Sequence, residues 1–253
     1  MKMICVTSPK GGDGATFVAA NLAYALSREC GSCLAADLNI GRRTLDLTFG
    51  TANDTVFNLN DIMSDTCDPS EAIVNTAWTG LDFVTSSQTS GSDGNFCTDA
   101  LKRLMQMTSY DYVVADIPRE FVQDALPLCD MMIMVSSPSH ASVRCLAGMC
   151  GNRDAFNKTY VVINKIIPEL IESGVWENAD DICDNCGIKP LGLIPFEPEA
   201  EIAQSRGAPA AAETTLKISR AAANMARRIS GEQVCSVDFN YRSPYYKVFK
   251  KYI

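Results

Sequence analysis

The chain has 253 residues, 47% of them hydrophobic, and a formal net charge of −8. That length and apolar content suit one core-bearing α/β domain, and no run of roughly 18 or more apolar residues is present to span a bilayer. The acidic balance argues against a general affinity for nucleic acid, which needs a basic footprint, so no specific nucleic-acid partner is expected.

Residues 3–8 read as a first strand, and the stretch around it lacks the long apolar segment and cleavage site of a secretory leader, so a soluble, cytoplasmic protein is expected. Residues 16–29 have helical apolar spacing, and residues 32–38 read as a second strand. Further strands are expected at 81–86, 110–117, 131–137, 160–164 and 191–195. Helical patterns fall at 99–107, 143–156 and 169–183, and again over 198–229 with an interruption near 207–209. The Ser/Gly-rich stretch 86–95 reads as a surface loop. This alternation implies βαβ units: a doubly wound, mostly parallel sheet with helices on both faces. Residues 1–230 form the expected domain, and residues 231–253 a linker and tail.

The chain carries eleven cysteines, an odd number, including the pairs Cys30/Cys33 and Cys183/Cys186. Each pair is half of a zinc site, and free, buried thiols are the expectation. The single histidine, His140, lies in a polar stretch and is expected in an exposed loop, which leaves a Ser/His/Asp triad without support.

The strongest motif follows the first strand: Ser8, Pro9, Lys10, Gly11, Gly12, Asp13, Gly14, Ala15, Thr16. Glycines let the backbone curl with its N–H groups inward, and with the start of the next helix they form an anion cradle. Thr16 stands where a hydroxyl would ligand Mg²⁺.

This loop resembles the deviant Walker A motif of the MinD/ParA family of P-loop ATPases, Lys-Gly-Gly-x-Gly-Lys-Thr. The resemblance makes Lys10 the lysine that reaches in trans across a nucleotide-sandwiched homodimer. It implies ATP and Mg²⁺ as cofactors, held by Lys10, Gly11, Gly12, Asp13, Gly14, Ala15, Thr16 and Phe17. Asp37 to Asp46 is similar to the family's first switch, and Asp116, ending an apolar strand, to its Walker B aspartate. Thr16, Asp37 and Asp116 are the implied metal residues; Lys10, Asp37, Asn39 and Asp116 are the implied catalytic ones. Asn164 resembles the asparagine that contacts adenine, Pro195 ends the matching last strand, and Gly207-Ala208-Pro209 resembles the loop closing over the base. The likeness runs from about residue 3 to residue 228, with its motifs in family order.

Several residues depart from the pattern. Ala15 removes the cis lysine, and Asp13 adds a carboxylate to the loop. At about 4 Å each unit charge pair is worth ~1 kcal/mol in water and ~4 kcal/mol at an effective dielectric near 20. Weaker nucleotide affinity is therefore expected unless Asp13 points outward. Asn39 replaces the switch aspartate, and an amide cannot accept a proton. Phe17 takes the place of a second hydroxyl. A slow or inactive ATPase is expected.

Loss of the cis lysine, together with Asp116-Ile117-Pro118-Arg119, resembles the CpaE/TadZ branch, whose members localise pilus assembly, whereas Gly41, Arg43, Leu45 and Asp46 are nearer to MinD. The resemblance implies a localisation factor that recruits protein partners. An active positioning ATPase and a nucleotide-free scaffold are the alternatives.

In the tail, Ser243 and Pro244 suit a helix start. Tyr245, Tyr246, Val248, Phe249, Tyr252 and Ile253 share one helical face, and Lys247, Lys250 and Lys251 the other. Such a face suits an anionic membrane surface, or packing on the domain or a partner subunit.

Overall fold

The computed structural model describes residues 1–88, 95–107, 109–150 and 157–234. In chain order the elements begin with β1 (Lys2–Thr7), α1 (Ala15–Glu29), β2 (Cys33–Asp37), α2 (Leu45–Phe49), α3 (Leu59–Met63), α4 (Pro69–Ala72) and β3 (Val74–Asn75). Next come β4 (Leu81–Thr85), α5 (Phe96–Met107), β5 (Tyr112–Asp116), α6 (Val122–Ala125), β6 (Met131–Ser136) and α7 (His140–Met149). The chain continues with β7 (Thr159–Ile166), α8 (Pro168–Glu172), α9 (Ala179–Cys186), β8 (Lys189–Pro195), α10 (Pro198–Ser205) and α11 (Lys217–Ile229).

The eight strands run in the order β3-β4-β2-β5-β1-β6-β7-β8, and only β3 is antiparallel to its neighbour. The central strands are apolar without a break because both of their faces are covered. The period of two shows in which cluster each residue joins. Met3 and Cys5 pack with α3, α5, α6, α7 and α9 on one face; Ile4 and Val6 pack with α1, α2, α10 and α11 on the other. At Gly192 on β8 an added Cβ would overlap the Met225 sulfur, so the bare backbone lets α11 dock closely.

The doubly wound sheet agrees with the sequence reading, and most boundaries agree within two or three residues. Four short elements between residues 45 and 75 were invisible to periodicity, being too short to show any. Local caps start two of them: Asn58 Oδ1 accepts from the Asn60 N–H at 2.9 Å, and Glu71 Oε2 from the Asp68 N–H at 2.8 Å. The helix expected over 169–183 is two helices, α8 and α9. Gly174 breaks the run at φ 72°, and Asn178 caps a fresh start by accepting from the Asp181 N–H at 2.9 Å. His140 is the first residue of α7 rather than part of a loop, exposed and 3.2 Å from Glu177.

The ten described cysteines are all free. Cys183 and Cys186 are buried on α9, where desolvation pushes their thiols up to about 12 and about 11. Parts of the expected loop 86–95 and helix 143–156, and the tail from residue 235, lie outside the described residues.

Candidate functional site

β1 is the strand at which the winding reverses, so the crevice beyond its carboxyl end is where a doubly wound sheet places a ligand. The loop from Ser8 to Ala15 leaves β1 there. Gly12 and Gly14 adopt φ 91° and 96°, which a side chain would strain. Gly14 is the N-cap of α1, and the first turn of α1 carries no acidic residue. Among the described residues no group accepts from the backbone N–H of any residue from 14 to 17. These orphan donors at the positive end of a 15-residue helix, above the glycines of the loop, form a cradle for an anion.

Three contacts hold this curl. The Ser8 hydroxyl donates to the Lys10 carbonyl at 2.5 Å, Lys165 Nζ to that of Gly12 at 2.9 Å, and Asn164 Nδ2 to that of Asp13 at 2.8 Å. The last two come from an irregularity in β7. Its pairing with β8 shifts between Ile163 and Ile166, and Lys165 takes φ 57°, so both side chains turn onto the loop.

A cavity of about 630 Å³ opens over the loop, walled among others by Gly11, Gly12, Gly14, Ala15, Thr16, Asn39 and Asp116. The Thr16 hydroxyl donates to Asp116 Oδ2 at 2.6 Å. Asp116 and Asp37 are register partners on β5 and β2, and both are buried. Desolvation raises both carboxyls above the usual range, and the Asp37 charge pushes Asp116 further. A hydroxyl and a carboxylate at the cavity wall, backed by a second buried carboxylate, fit a hard divalent cation. Asp37 itself is not a wall. Its Oδ1 accepts from the Asn39 N–H at 2.9 Å and Asn39 Nδ2 at 3.1 Å; its Oδ2 accepts from Thr44 and Leu45 N–H at 3.0 and 3.1 Å. It clamps the loop that carries Asn39.

Gly14 and Thr16 also wall an adjoining cavity of about 200 Å³ with Phe17, Asn164, Lys165, Pro195 and Phe196. The structure thus gathers Phe17, Asn164 and Pro195, far apart in sequence, into one pocket beside the anion cradle, with Glu197, Glu201 and Gln204 also among its walls. Gly207 is not part of it; this glycine packs on the Gly50 backbone, and the 3₁₀ turn Ala210–Ala212 is tied to α1 by Ala211 N–H donating to Asn21 Oδ1 at 2.6 Å.

Asp13 is buried, but its carboxylate faces α7 and is not a wall of either cavity. Oδ1 accepts from the Ser142 hydroxyl at 2.8 Å, which Ser137 and Ser139 surround at 2.9 and 3.0 Å. The charge penalty expected from the sequence is reduced accordingly. Lys10 Nζ lies 3.8 Å from the same oxygen, with its side chain 41% exposed, and it too is outside both cavities. Sequence reasoning did not single out Arg42, Lys165, Phe196 or a role for Arg119. Only the β7 irregularity and the loop closures bring them to the site, and no spacing rule encodes those.

A family model described as an AAA domain matches residues 1–167. The septum site-determining protein MinD of Helicobacter pylori is 26% identical over 264 aligned positions, spanning 98% of this chain and 97% of that protein. Among solved structures, a chain of the MinC:MinD cell division protein complex of Aquifex aeolicus superposes with a TM-score of 0.82 at 26% identity, over 92% of this chain and 97% of that one. The MinD of Pyrococcus horikoshii OT3, complexed with Mg-ADP, superposes at 0.75 with 20% identity over 91% and 96%, a likeness of fold.

Proposed function

The chain belongs to the MinD/ParA family of P-loop ATPases, and we propose that within it this protein is a nucleotide-dependent localisation factor that binds ATP with Mg²⁺ and turns it over slowly or not at all. The observation that carries the reading is the pair of adjoining cavities sharing Gly14 and Thr16. One has the orphan N–H cradle with Thr16 and Asp116, and the other has Phe17, Asn164 and Pro195. The first suits a triphosphate and the second an adenine, with Phe196 an exposed face for the base to cover. The Pyrococcus horikoshii MinD is complexed with Mg-ADP, which supports a nucleotide with Mg²⁺ as the class of ligand.

Thr16 and Asp116 would hold Mg²⁺, with Asp37 behind them. The ion would neutralise phosphate charge and relieve the repulsion between the two carboxylates. Asn39 faces the cavity as an amide that cannot take a proton from water, and its Nδ2 is already given to Asp37 Oδ1 and, at 3.3 Å, to the Asp116 carbonyl. With Ala15 in the loop as well, binding outlasts hydrolysis. Bound ATP then serves as the glue of a homodimer in which Lys10, outside its own cavity, reaches the partner's phosphates. The output is recruitment of other proteins, as MinC accompanies MinD in the Aquifex complex.

Pilus-assembly positioning rests on Ala15 and the Asp116–Arg119 sequence alone. The full-length likeness to a septum site-determining protein favours a second reading, an active division-site ATPase. A turnover that Asp116→Ala abolishes would select it. The tail, residues 231–253, would add peripheral contact with the inner face of the membrane; liposome binding that survives deletion of residues 245–253 removes that part.

Calorimetric titration of ATP with Mg²⁺ tests the core of the proposal. Micromolar binding that Thr16→Ala weakens supports it, and no binding at millimolar ATP would leave a nucleotide-free scaffold.

A further inference from the structure

Ala15 leaves the phosphate cradle without a cation from its own loop. The loop's lysine, Lys10, lies beside Asp13 and outside the cavity. A triphosphate carries several charges, and N–H dipoles balance them only in part. The cavity is nevertheless lined by two arginines, Arg42 from the segment after β2 and Arg119 from the 3₁₀ turn after β5, with Glu120 beside the latter. Arg119 is anchored to the cradle: its Nη1 donates to the Pro9 carbonyl at 3.3 Å, so the side chain crosses from the β5 loop to the entrance of the phosphate loop. Both arginines are exposed, and among the described residues neither forms an ion pair. A guanidinium held by a single carbonyl retains most of its five donors for a phosphate.

We propose that Arg119 supplies, in cis, the cationic contact to the terminal phosphate of ATP that a lysine at position 15 would otherwise make. The inference rests on the nucleotide reading above and names the group that makes such binding workable without that lysine. Arginine suits this role because it stays charged at any relevant pH, and its planar fork meets two phosphate oxygens at once. Its place just past Asp116 puts it on the same loop as the cation-binding carboxylate, so phosphate and metal contacts are set by one segment. Arg42, on the opposite loop, has no hydrogen bond to the cradle among the described residues and is the weaker candidate.

The test is calorimetric titration of ATP and ADP, each with Mg²⁺, on the full chain and on Arg119→Ala, Arg119→Lys, Ala15→Lys and the double variant Arg119→Ala/Ala15→Lys. Loss of a charge-assisted hydrogen bond lowers ATP affinity about ten- to a hundredfold in Arg119→Ala. The ADP affinity falls less, Arg119→Lys recovers part of the loss, and adding Ala15→Lys to Arg119→Ala restores ATP binding. An equal fall for ATP and ADP, indicating loop disturbance, or ATP affinity unchanged in Arg119→Ala, overturns the assignment. A failure of the unaltered chain to bind either nucleotide overturns the nucleotide reading itself, which separates the two.

Discussion

Replacing Ser142 with alanine tests whether the phosphate loop is locked to α7 through Asp13. Asp13 is 3% exposed, and its Oδ2 has no hydrogen-bond partner among the described residues. Oδ1 takes the Ser142 hydroxyl at 2.8 Å. The Lys10 ammonium at 3.8 Å is 41% exposed, so water and salt hold its contribution to about 1 kcal/mol or less. Ser142 is therefore the main partner of a buried carboxylate. Losing a hydrogen bond to a charged group costs about 1.5–3 kcal/mol. For a chain of this size, with about 2–4 °C of Tm per kcal/mol, Ser142→Ala lowers Tm by about 3–12 °C. In an Asp13→Asn background the same change removes only a neutral bond, about 0.5–1.5 kcal/mol. A thermal-unfolding cycle over the four proteins thus yields a coupling of about 1 kcal/mol. An equal cost of Ser142→Ala in both backgrounds would refute the lock, and with it the claim that Asp13 is turned away from the phosphates.

Gly14→Ala forces a side chain onto φ 96° and sets its Cβ 2.5 Å from Asn164 Nδ2; urea unfolding should show a loss of about 1–3 kcal/mol, and nucleotide titration a loss of binding, whereas unchanged stability would mean that the loop can relax. Gly192→Ala drives a methyl group into Met225 and costs about 1–3 kcal/mol by overpacking, seen as a lower urea midpoint with nucleotide binding retained. Burial and the Asp37 charge raise the Asp116 carboxyl, so the folded state holds its proton more tightly than the unfolded one. Without Mg²⁺, its contribution to stability is then lost as pH rises from the ordinary carboxylate range through the raised value. Melting curves across pH should show that fall, and Asp116→Asn should melt higher than the unaltered chain at pH 7. A flat profile with no gain from the amide would contradict the repulsion. Replacing Ala15→Lys together with Asn39→Asp should raise the ATP turnover measured by phosphate release; no rise would mean that these two residues do not limit hydrolysis.

The phosphate loop and the sheet were legible because their signals are local: a glycine run after an apolar strand, and long stretches of period two or 3.6. Thr16, Asp116, Asn164 and Pro195 were legible through family order, and the structure gathers them around two joined cavities. Family order alone does not show that the Asp37 carboxylate accepts from four N–H donors of the following loop. The direction of Asp13 depends on a serine 129 residues away, and the reach of Arg119 on a carbonyl 110 residues away. Neither distance leaves a trace in spacing. The short helices between residues 45 and 75 hold by caps rather than by an amphipathic stripe, so a periodicity reading passes over them.

The most direct test of nucleotide-dependent dimerisation is light scattering on a size-exclusion column, with no nucleotide, with Mg-ADP and with Mg-ATP, for the unaltered chain and Lys10→Ala. A dimer with Mg-ATP alone, and a monomer for Lys10→Ala that still binds ATP by calorimetry, is the predicted result. A chain that binds ATP yet remains monomeric, or a Lys10→Ala variant that dimerises as well as the unaltered chain, would contradict the account.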